Sequence, residues 1–227
     1  VFAATPALAR HNGTASTVRA LQQGYADGTL FAFGSARCGM LGVGTVNVDG
    51  PDGQPKQCWP TQVTALGSGN ALIAVGHAHT IVLKTDGTVF TAGNHFYGQL
   101  GIGGDRSLLQ NQACTSEQSC EIRSPLQVAS LGSDNEAVAA GAWHNFVLKT
   151  DGTVYAFGRG VENQLGKEQA PGSNYESPTL VTALGSDNAL ISAGQFHTVA
   201  LKTDGSICSF GSCPSPTHWD YCQLGLG

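Results

Sequence analysis

Leu83-Lys-Thr-Asp-Gly87 decides the fold, because the same five residues return as Leu148-Lys-Thr-Asp-Gly152 and as Leu201-Lys-Thr-Asp-Gly205. An Asp-Gly pair also stands at 27–28, and the four pairs are separated by 59, 65 and 53 residues. A segment that returns at such a spacing marks an internal repeat in which each copy is one supersecondary unit. The sequence therefore predicts about four copies of one unit.

Two further matches recur in the same register. Gly-x-x-His precedes three of the Asp-Gly pairs and ends at His79, His144 and His197. A segment ending in Gln-Leu-Gly follows the same three pairs, while the first copy carries Met-Leu-Gly there and lacks the Gly-x-x-His element. Three signatures in register cover nearly the whole chain, so the repeat defines the architecture.

Each copy has the pattern of a small antiparallel sheet. Thr80–Lys84 and Thr88–Ala92 are β-rich runs, and the intervening Asp-Gly pair suits a tight hairpin because both residues tolerate positive φ. Such a sheet cannot bury both faces alone, so the copies must stack, and a β-propeller fits best. The expected turn residues are Asp86, Gly87, Asp151, Gly152, Asp204 and Gly205.

We expect an all-β fold with a single propeller domain over 1–227. The repeat spacing divides it into approximate blades at 1–58, 59–124, 125–178 and 179–227. Charged residues make up only 12% of the chain and the formal net charge is −5, which gives no basic footprint for nucleic acid. The sequence has no apolar run of about 18 residues that could span a membrane.

The three signatures together resemble the repeat of the regulator of chromosome condensation family. Gly93-Asn-His-Phe-Tyr-Gly-Gln-Leu-Gly101 carries the last of them without a gap. The resemblance implies a seven-bladed ring, with further blades supplied by the rest of a longer chain or by another subunit. A closed ring of four blades is the remaining alternative. Two copies depart from the pattern, with Arg159-Gly-Val-Glu162 in the third and an insertion between Cys213 and Cys222 in the fourth. Both departures fall in loops.

Six of the seven cysteines bracket loops in pairs. Such pairs predict local disulfides and an oxidising compartment, and the alternative is free thiols. Cys208 stands where other copies carry Phe or Tyr, which predicts a small buried apolar residue. A glycosylation sequon at Asn12 agrees with secretion, so we expect an extracellular or luminal protein, with the cytoplasm as the alternative. The expected disulfide partners are Cys38 with Cys58, Cys114 with Cys120, and Cys213 with Cys222.

The repeated histidines His79, His144 and His197 are interpreted as structural, donating ring N–H groups to backbone acceptors near a turn. His77 shares a strand face with His79, but no third metal ligand accompanies them. The acidic loop Asp49–Gly53 does not have the spacing of an EF-hand. No elbow, phosphate-loop or dinucleotide motif occurs in the sequence. We therefore assign no catalytic, cofactor-binding or metal-binding residue.

The sequence favours a non-catalytic protein-binding scaffold of unspecified partner, because the copies differ mainly in their loops. Trp219 and Tyr221 lie in the last inserted loop and are candidate partner contacts. The resemblance implies two alternatives: a guanine-nucleotide exchange factor for a small GTPase, which is the activity of the founding member, and a secreted protein inhibitor. Fold alone does not choose among them.

Overall fold

A computed structural model describes residues 28–35, 40–44, 56–104, 121–166 and 173–211. Within these ranges the regular structure consists of β-strands and short 3-10 turns, in agreement with the all-β prediction. The strands are β1 (Phe31–Ser35), β2 (Lys56–Gln62), β3 (Asn70–Val75), β4 (His79–Lys84), β5 (Val89–Asn94), β6 (Glu121–Gln127), β7 (Asn135–Ala140), β8 (His144–Lys149), β9 (Val154–Gly158), β10 (Tyr175–Leu180), β11 (Asn188–Ala193), β12 (His197–Lys202) and β13 (Ile207–Gly211).

The strands form four antiparallel sheets, each built from strands consecutive in the chain. We call them the first blade (β1–β2), the second (β3–β6), the third (β7–β10) and the fourth (β11–β13). Strand β7 contacts β3 and β4, and β11 contacts β7 and β8, so the leading strands of successive blades lie side by side. This arrangement of stacked sheets confirms the blade architecture.

The Asp-Gly pairs form the hairpins between the second and third strands of the second, third and fourth blades. Gly87 has a φ of 80°, which a residue with a Cβ adopts only with strain. The Asp86 carboxylate accepts from the backbone N–H of Thr88 at 3.0 Å and from its hydroxyl at 2.6 Å. These two hydrogen bonds hold the pKa of Asp86 below its usual value. Asp151 accepts the same pair of bonds from Thr153.

The hydrophobic core is divided into clusters that lie between blades. Alternate side chains of β4 face opposite neighbours: Ile81 and Leu83 pack with Val147 and Phe157 of the third blade, whereas Val82 packs toward the first. This is the period of two expected of a strand with both faces buried. Full burial of each such side chain contributes about 1.5–3 kcal/mol, so stacking of neighbouring blades provides most of the stability.

One face of the fourth blade differs from its counterparts. Ile207 is 68% exposed, while the equivalent Val89 and Val154 are fully buried against the following blade. Leu190, on β11, is 55% exposed. Within the described ranges no blade packs on this face, which we call the open face and define by Leu190, Val199, Leu201 and Ile207.

The expected blade boundaries differ from those of the sheets. The boundaries after 58, 124 and 178 fall inside β2, β6 and β10, each of which pairs with the strand before it. The period of a repeating sequence is the same whichever residue is taken as the start of a repeat, so the period alone does not locate the blade boundaries. Pairing of the last strand depends on hydrogen bonds across a long loop, and the local pattern does not specify those.

Candidate functional site

The two ends of the blades carry different loops. The Gly-x-x-His turn and the loop after the third strand meet at one end, because His79 pairs with Gly93. We call this end the histidine rim. The Asp-Gly hairpins and the 3-10 turns that precede β3, β7 and β11 lie at the other end, which we call the hairpin rim. A rim whose side chains are engaged in contacts between blades serves the scaffold. A rim with a constant frame and side chains that vary from blade to blade is a candidate binding surface.

The histidines of the second and third blades are buried between blades. The Nε2 atom of His79 lies 3.0 Å from Oδ1 of Asn145, which belongs to the next blade. The Nε2 atom of His144 lies 3.4 Å from the hydroxyl of Thr198, again in the next blade. The acceptor expected for these rings was a backbone group near a turn. In the structure the partner of each is a side chain of the neighbouring blade.

Burial disfavours the charged form of both rings. Desolvation lowers the pKa of His79 to about 4 and that of His144 to about 3, from a usual value of 6.5. A second contribution to the low pKa of His144 comes from the nearby His79 and His197. Both imidazoles are therefore neutral at physiological pH. His197, in the fourth blade, is only partly buried.

The glycine of each Gly-x-x-His turn is required by the ring that follows it. A Cβ at Gly76 would lie closer than 3.0 Å to the His79 ring, and one at Gly141 would meet the His144 ring in the same way. In each motif the imidazole therefore packs directly against the glycine three residues before it and leaves no room for a side chain there. In the described part of the chain no group of His, Cys, Asp and Glu side chains could hold a metal ion.

The residue after each histidine ties its blade to the preceding one. The Thr80 hydroxyl donates to the carbonyl of Met40 at 2.7 Å, and the Asn145 amide donates to the carbonyl of Gln99 at 2.7 Å. The Thr198 hydroxyl donates to the carbonyl of Gln164 at 3.0 Å. The sequence reasoning missed these three residues. Their signal was the repeated Thr or Asn directly after the histidine.

The loops of the histidine rim are fixed by a buried glutamine. Gln99 accepts from the backbone N–H of Tyr97 at 2.9 Å and donates to Oδ1 of Asn94 at 2.8 Å. In the third blade Gln164 accepts from the backbone N–H of Glu162 at 2.9 Å. It donates to Oε2 of the same Glu162, also at 2.9 Å. The Arg159-Gly-Val-Glu departure therefore keeps the loop geometry and exchanges its exposed side chains.

Exposed and partly exposed side chains of the loops and the Gly-x-x-His turns form one continuous surface across three blades. The rings of Phe96 and Tyr97 are 4.9 Å apart, Tyr97 and Trp143 are 5.4 Å apart, and Trp143 and His77 are 4.7 Å apart, measured between centroids. The guanidinium of Arg159 lies 5.3 Å from the Tyr97 ring and 5.8 Å from the Phe196 ring. We call this surface the aromatic patch and define it as His77, Phe96, Tyr97, Trp143, Arg159 and Phe196.

The hairpin rim holds the blades together by polar contacts. The side-chain amides of Asn70, Asn135 and Asn188 donate to the carbonyls of the preceding hairpin glycines at 2.7, 2.7 and 2.8 Å. The ammonium of Lys149 donates to the Leu131 carbonyl and forms an ion pair with Asp134 at 2.5 Å. The polar side chains of the hairpin rim are therefore already engaged in contacts within the propeller. This makes the histidine rim the better candidate for a binding surface.

Several expected sites lie outside the described residues. Cys58 lies on β2, but its side chain is not described, and Cys208 is a partly buried free cysteine that packs against the cluster between the third and fourth blades. No helix in the described ranges is long and apolar enough to cross a membrane. Outside those ranges are Asn12, Cys38, the loop 49–53, Cys114, Cys120, Cys213, Trp219, Tyr221 and Cys222.

The protein has stacked antiparallel sheets, histidines buried between blades, and loops gathered at the histidine rim. These features define a β-propeller repeat protein. Comparison with family profiles identifies the repeat. A profile described as the regulator of chromosome condensation (RCC1) repeat matches residues 86–148 and 151–201, and a second profile of that description matches 71–99 and 136–164. The chain belongs to the RCC1 repeat family, as the sequence signatures indicated.

Curated relatives match across most of this chain. The probable E3 ubiquitin-protein ligase HERC6 of Homo sapiens is 32% identical over 199 residues, which are 85% of this chain and 18% of that protein. Protein pim1 of Schizosaccharomyces pombe is 32% identical over 194 residues, 82% of this chain and 32% of that protein. The chain thus spans a third or less of these relatives.

Solved structures show the same fold. Yeast RCC1 (Prp20), in a crystal structure with Kap60 bound, aligns with a TM-score of 0.64 at 24% identity over 81% of this chain and 40% of that chain. Human WBSCR16 aligns with a TM-score of 0.61 at 21% identity over 82% of this chain and 44% of that chain. Both alignments support the propeller assignment.

Proposed function

We propose that this chain is a non-catalytic, protein-binding part of an RCC1 propeller that contacts its partner through the histidine rim. One observation carries the proposal. The buried loop anchors Gln99 and Gln164 accept equivalent bonds in successive blades. The exposed Phe96 is replaced by the exposed Val161, and the partly exposed Tyr97 by the partly exposed Glu162. A constant frame with varied exposed side chains is the arrangement of a binding surface.

Site-specific photo-crosslinking in the source cell tests this assignment of the rim. A benzoyl-phenylalanine is placed at Val161 or Asn163 on the histidine rim and, as matched controls, at Asp151 or Asp204 on the hairpin rim; all four positions are exposed. We expect the two histidine-rim positions to capture one common protein, which then binds the purified chain. Equal capture from both rims, or capture from neither, would contradict the proposal.

A guanine-nucleotide exchange activity is the alternative from a different class. Its support is indirect. A Caenorhabditis elegans relative, 29% identical over 192 residues, is an X-linked retinitis pigmentosa GTPase regulator homolog, and the structurally similar Prp20p of Saccharomyces cerevisiae binds Gsp1p and histones. Release of labelled GDP from a small GTPase, with and without the full-length protein, tests this alternative directly. A secreted inhibitor is the further alternative, and it rests on the family resemblance alone.

The compartment and the assembly are also proposals. An extracellular or luminal location rests on the spacing of the six loop-bracketing cysteines, and the cytoplasm is the alternative. Mass spectrometry with and without reductant tests it, because three free pairs would remove its support. We propose in addition that further blades, from a longer chain or another subunit, cover the open face, since the equivalent Val89 and Val154 are buried by a following blade.

A further inference from the structure

We propose that the aromatic patch binds a segment of a partner protein that presents an apolar side chain next to a carboxylate. This inference rests on the proposed protein-binding function and adds the chemistry of the partner. Trp, Tyr and Arg dominate the energetic centres of protein interfaces, and the patch contains all three. Phe96, at its edge, is 36% exposed, and the adjoining Val161 is 48% exposed.

The patch is held in place before any partner arrives. The backbone N–H of His77 donates to the Ala142 carbonyl at 2.9 Å, and that of Arg159 donates to the Trp143 carbonyl at 2.9 Å. The first of these bonds joins two blades, and the buried glutamines fix the loops that bear Tyr97 and Arg159. A surface that is already ordered loses less conformational entropy on binding. Exposed aromatic rings on such a frame are therefore suited to an apolar anchor.

The charge of the patch selects the second element of the partner. Arg159 donates from Nη2 to Oε1 of Glu162 at 2.5 Å, while Oε2 of that carboxylate is taken by Gln164 at 2.9 Å. Glu162 therefore does not occupy the guanidinium with both oxygens. The Nε atom of Arg159 is buried, with no acceptor among the described residues. A partner cannot reach that buried atom, but the N–H groups of the two terminal nitrogens that Glu162 does not use can bind a second carboxylate.

The rest of the molecule directs an acidic segment to the same place. The chain has a formal net charge of −5, and the hairpin rim exposes Asp86, Asp151 and Asp204. A partner carboxylate is repelled from that rim, whereas at the histidine rim the carboxylate of Glu162 is already paired with Arg159. Charge complementarity of this kind sets orientation and association rate. It distinguishes the proposed partner from a purely apolar one or a basic one.

A random dodecapeptide library displayed on phage, selected on the full-length chain, provides the test. We expect the selected peptides to share an aromatic or large aliphatic residue within a few positions of Asp or Glu. Synthetic copies should bind about tenfold more weakly to Phe96→Ser and to Arg159→Gln. Arg159→Lys should give an intermediate loss, because Lys keeps the charge but not the fork. Leu180→Ser, at a matched exposure of 39% on β10, should leave binding within about twofold.

The outcomes separate this inference from the proposed function. Selected peptides without an acidic residue, binding unchanged in Phe96→Ser and Arg159→Gln, or no enrichment over the bare support would each overturn the inference. The photo-crosslinked partner would still stand in each case, because its capture does not depend on the peptide selection. Circular dichroism of every variant separates lost binding from lost folding. If Arg159→Gln unfolds, Phe96→Ser and Arg159→Lys decide the outcome.

Discussion

The Nε2 atom of His79 and the Oδ1 atom of Asn145 lie 3.0 Å apart across the boundary between the second and third blades, although the residues are 66 positions apart in the chain. The same Asn145 side chain donates to the Gln99 carbonyl at 2.7 Å. One amide thus links a buried histidine to the loop that supports the aromatic patch. Stability of the blade interface and geometry of the histidine rim are coupled through this residue.

Replacing Asn145 with Ala should destabilise the chain by about 2–3 kcal/mol, because two buried polar groups lose their partner. Urea unfolding followed by circular dichroism measures the loss. Asn145→Thr is the matched control, since Thr occupies the equivalent positions 80 and 198 and donates to the equivalent loop carbonyls. It should cost clearly less than Asn145→Ala. Equal losses for the two variants would show that this hydrogen bond is not what stabilises the interface.

Acid should destabilise the folded chain through its two buried histidines. The pKa of His79 is about 4 and that of His144 about 3 in the folded state, against 6.5 for an unperturbed histidine. Between these values and 6.5 the unfolded chain binds more protons, so stability is complete above pH 6.5 and falls as the pH drops. At pH 5 the low pKa of each histidine should have reduced the free energy of unfolding by about 2 kcal/mol.

Urea midpoints measured between pH 7.5 and pH 5 check this dependence. His79→Gln removes one titrating group while keeping a polar side chain, so its stability should vary less steeply with pH than that of the native sequence. The groups facing His79 are Asn145, His144 of the next blade and the exposed His77. A His77→Gln variant separates its contribution. A midpoint independent of pH would contradict burial of the neutral imidazoles.

Gly87 and Gly205 offer a matched pair for measuring contact between blades. Both have positive φ, 80° and 87°, so Ala at either position costs about 1–2 kcal/mol of backbone strain. A Cβ at Gly87 would also lie closer than 3.0 Å to the Ser133 carbonyl of the third blade. At Gly205 a Cβ would meet no atom of the described residues within 4 Å. Gly87→Ala should therefore lower the free energy of unfolding more than Gly205→Ala in the isolated chain.

The same comparison in a longer protein or an assembly tests the covering of the open face. If a further blade packs there, Gly205→Ala should cost as much as Gly87→Ala, because the new blade would supply a neighbour in the position of Ser133. Differential scanning calorimetry on both forms provides the measurement. Equal melting temperatures for the two variants in the isolated chain would show that backbone strain alone accounts for both losses.

The strands and hairpins were predictable because their signals are local. An Asp-Gly pair between β-branched runs specifies a turn within four residues, and side chains that alternate along β4 specify two buried faces. The partner of His79 and the pairing of β6 with β5 were not predictable in this way. Both depend on which residues the stacking of blades brings together, across separations of tens of residues.

The aromatic patch, like the partner of His79, was not predictable from the sequence. In the sequence, Trp143 lies between the Gly and the His of the Gly-x-x-His motif in the third copy, and Arg159 belongs to a departure from the repeat. Neither observation placed the two beside Tyr97, because they lie on loops of different blades. The missing information was the rotation from one blade to the next. That rotation is set by packing of the interblade clusters.

Two equivalent apolar positions should lose very different amounts of stability on a polar substitution. Val154 is fully buried between the third and fourth blades, and Val154→Ser should cost about 3 kcal/mol through the lost packing and the buried hydroxyl. Ile207 is its counterpart on the open face and is 68% exposed. Ile207→Ser should change the free energy of unfolding by less than about 0.5 kcal/mol. It should also reduce self-association of the isolated chain, because it breaks up an exposed apolar surface. Urea unfolding and analytical ultracentrifugation measure the two effects. A large destabilisation by Ile207→Ser would mean that this side chain is buried by a part of the chain outside the described residues, and the open face would then need no further blade.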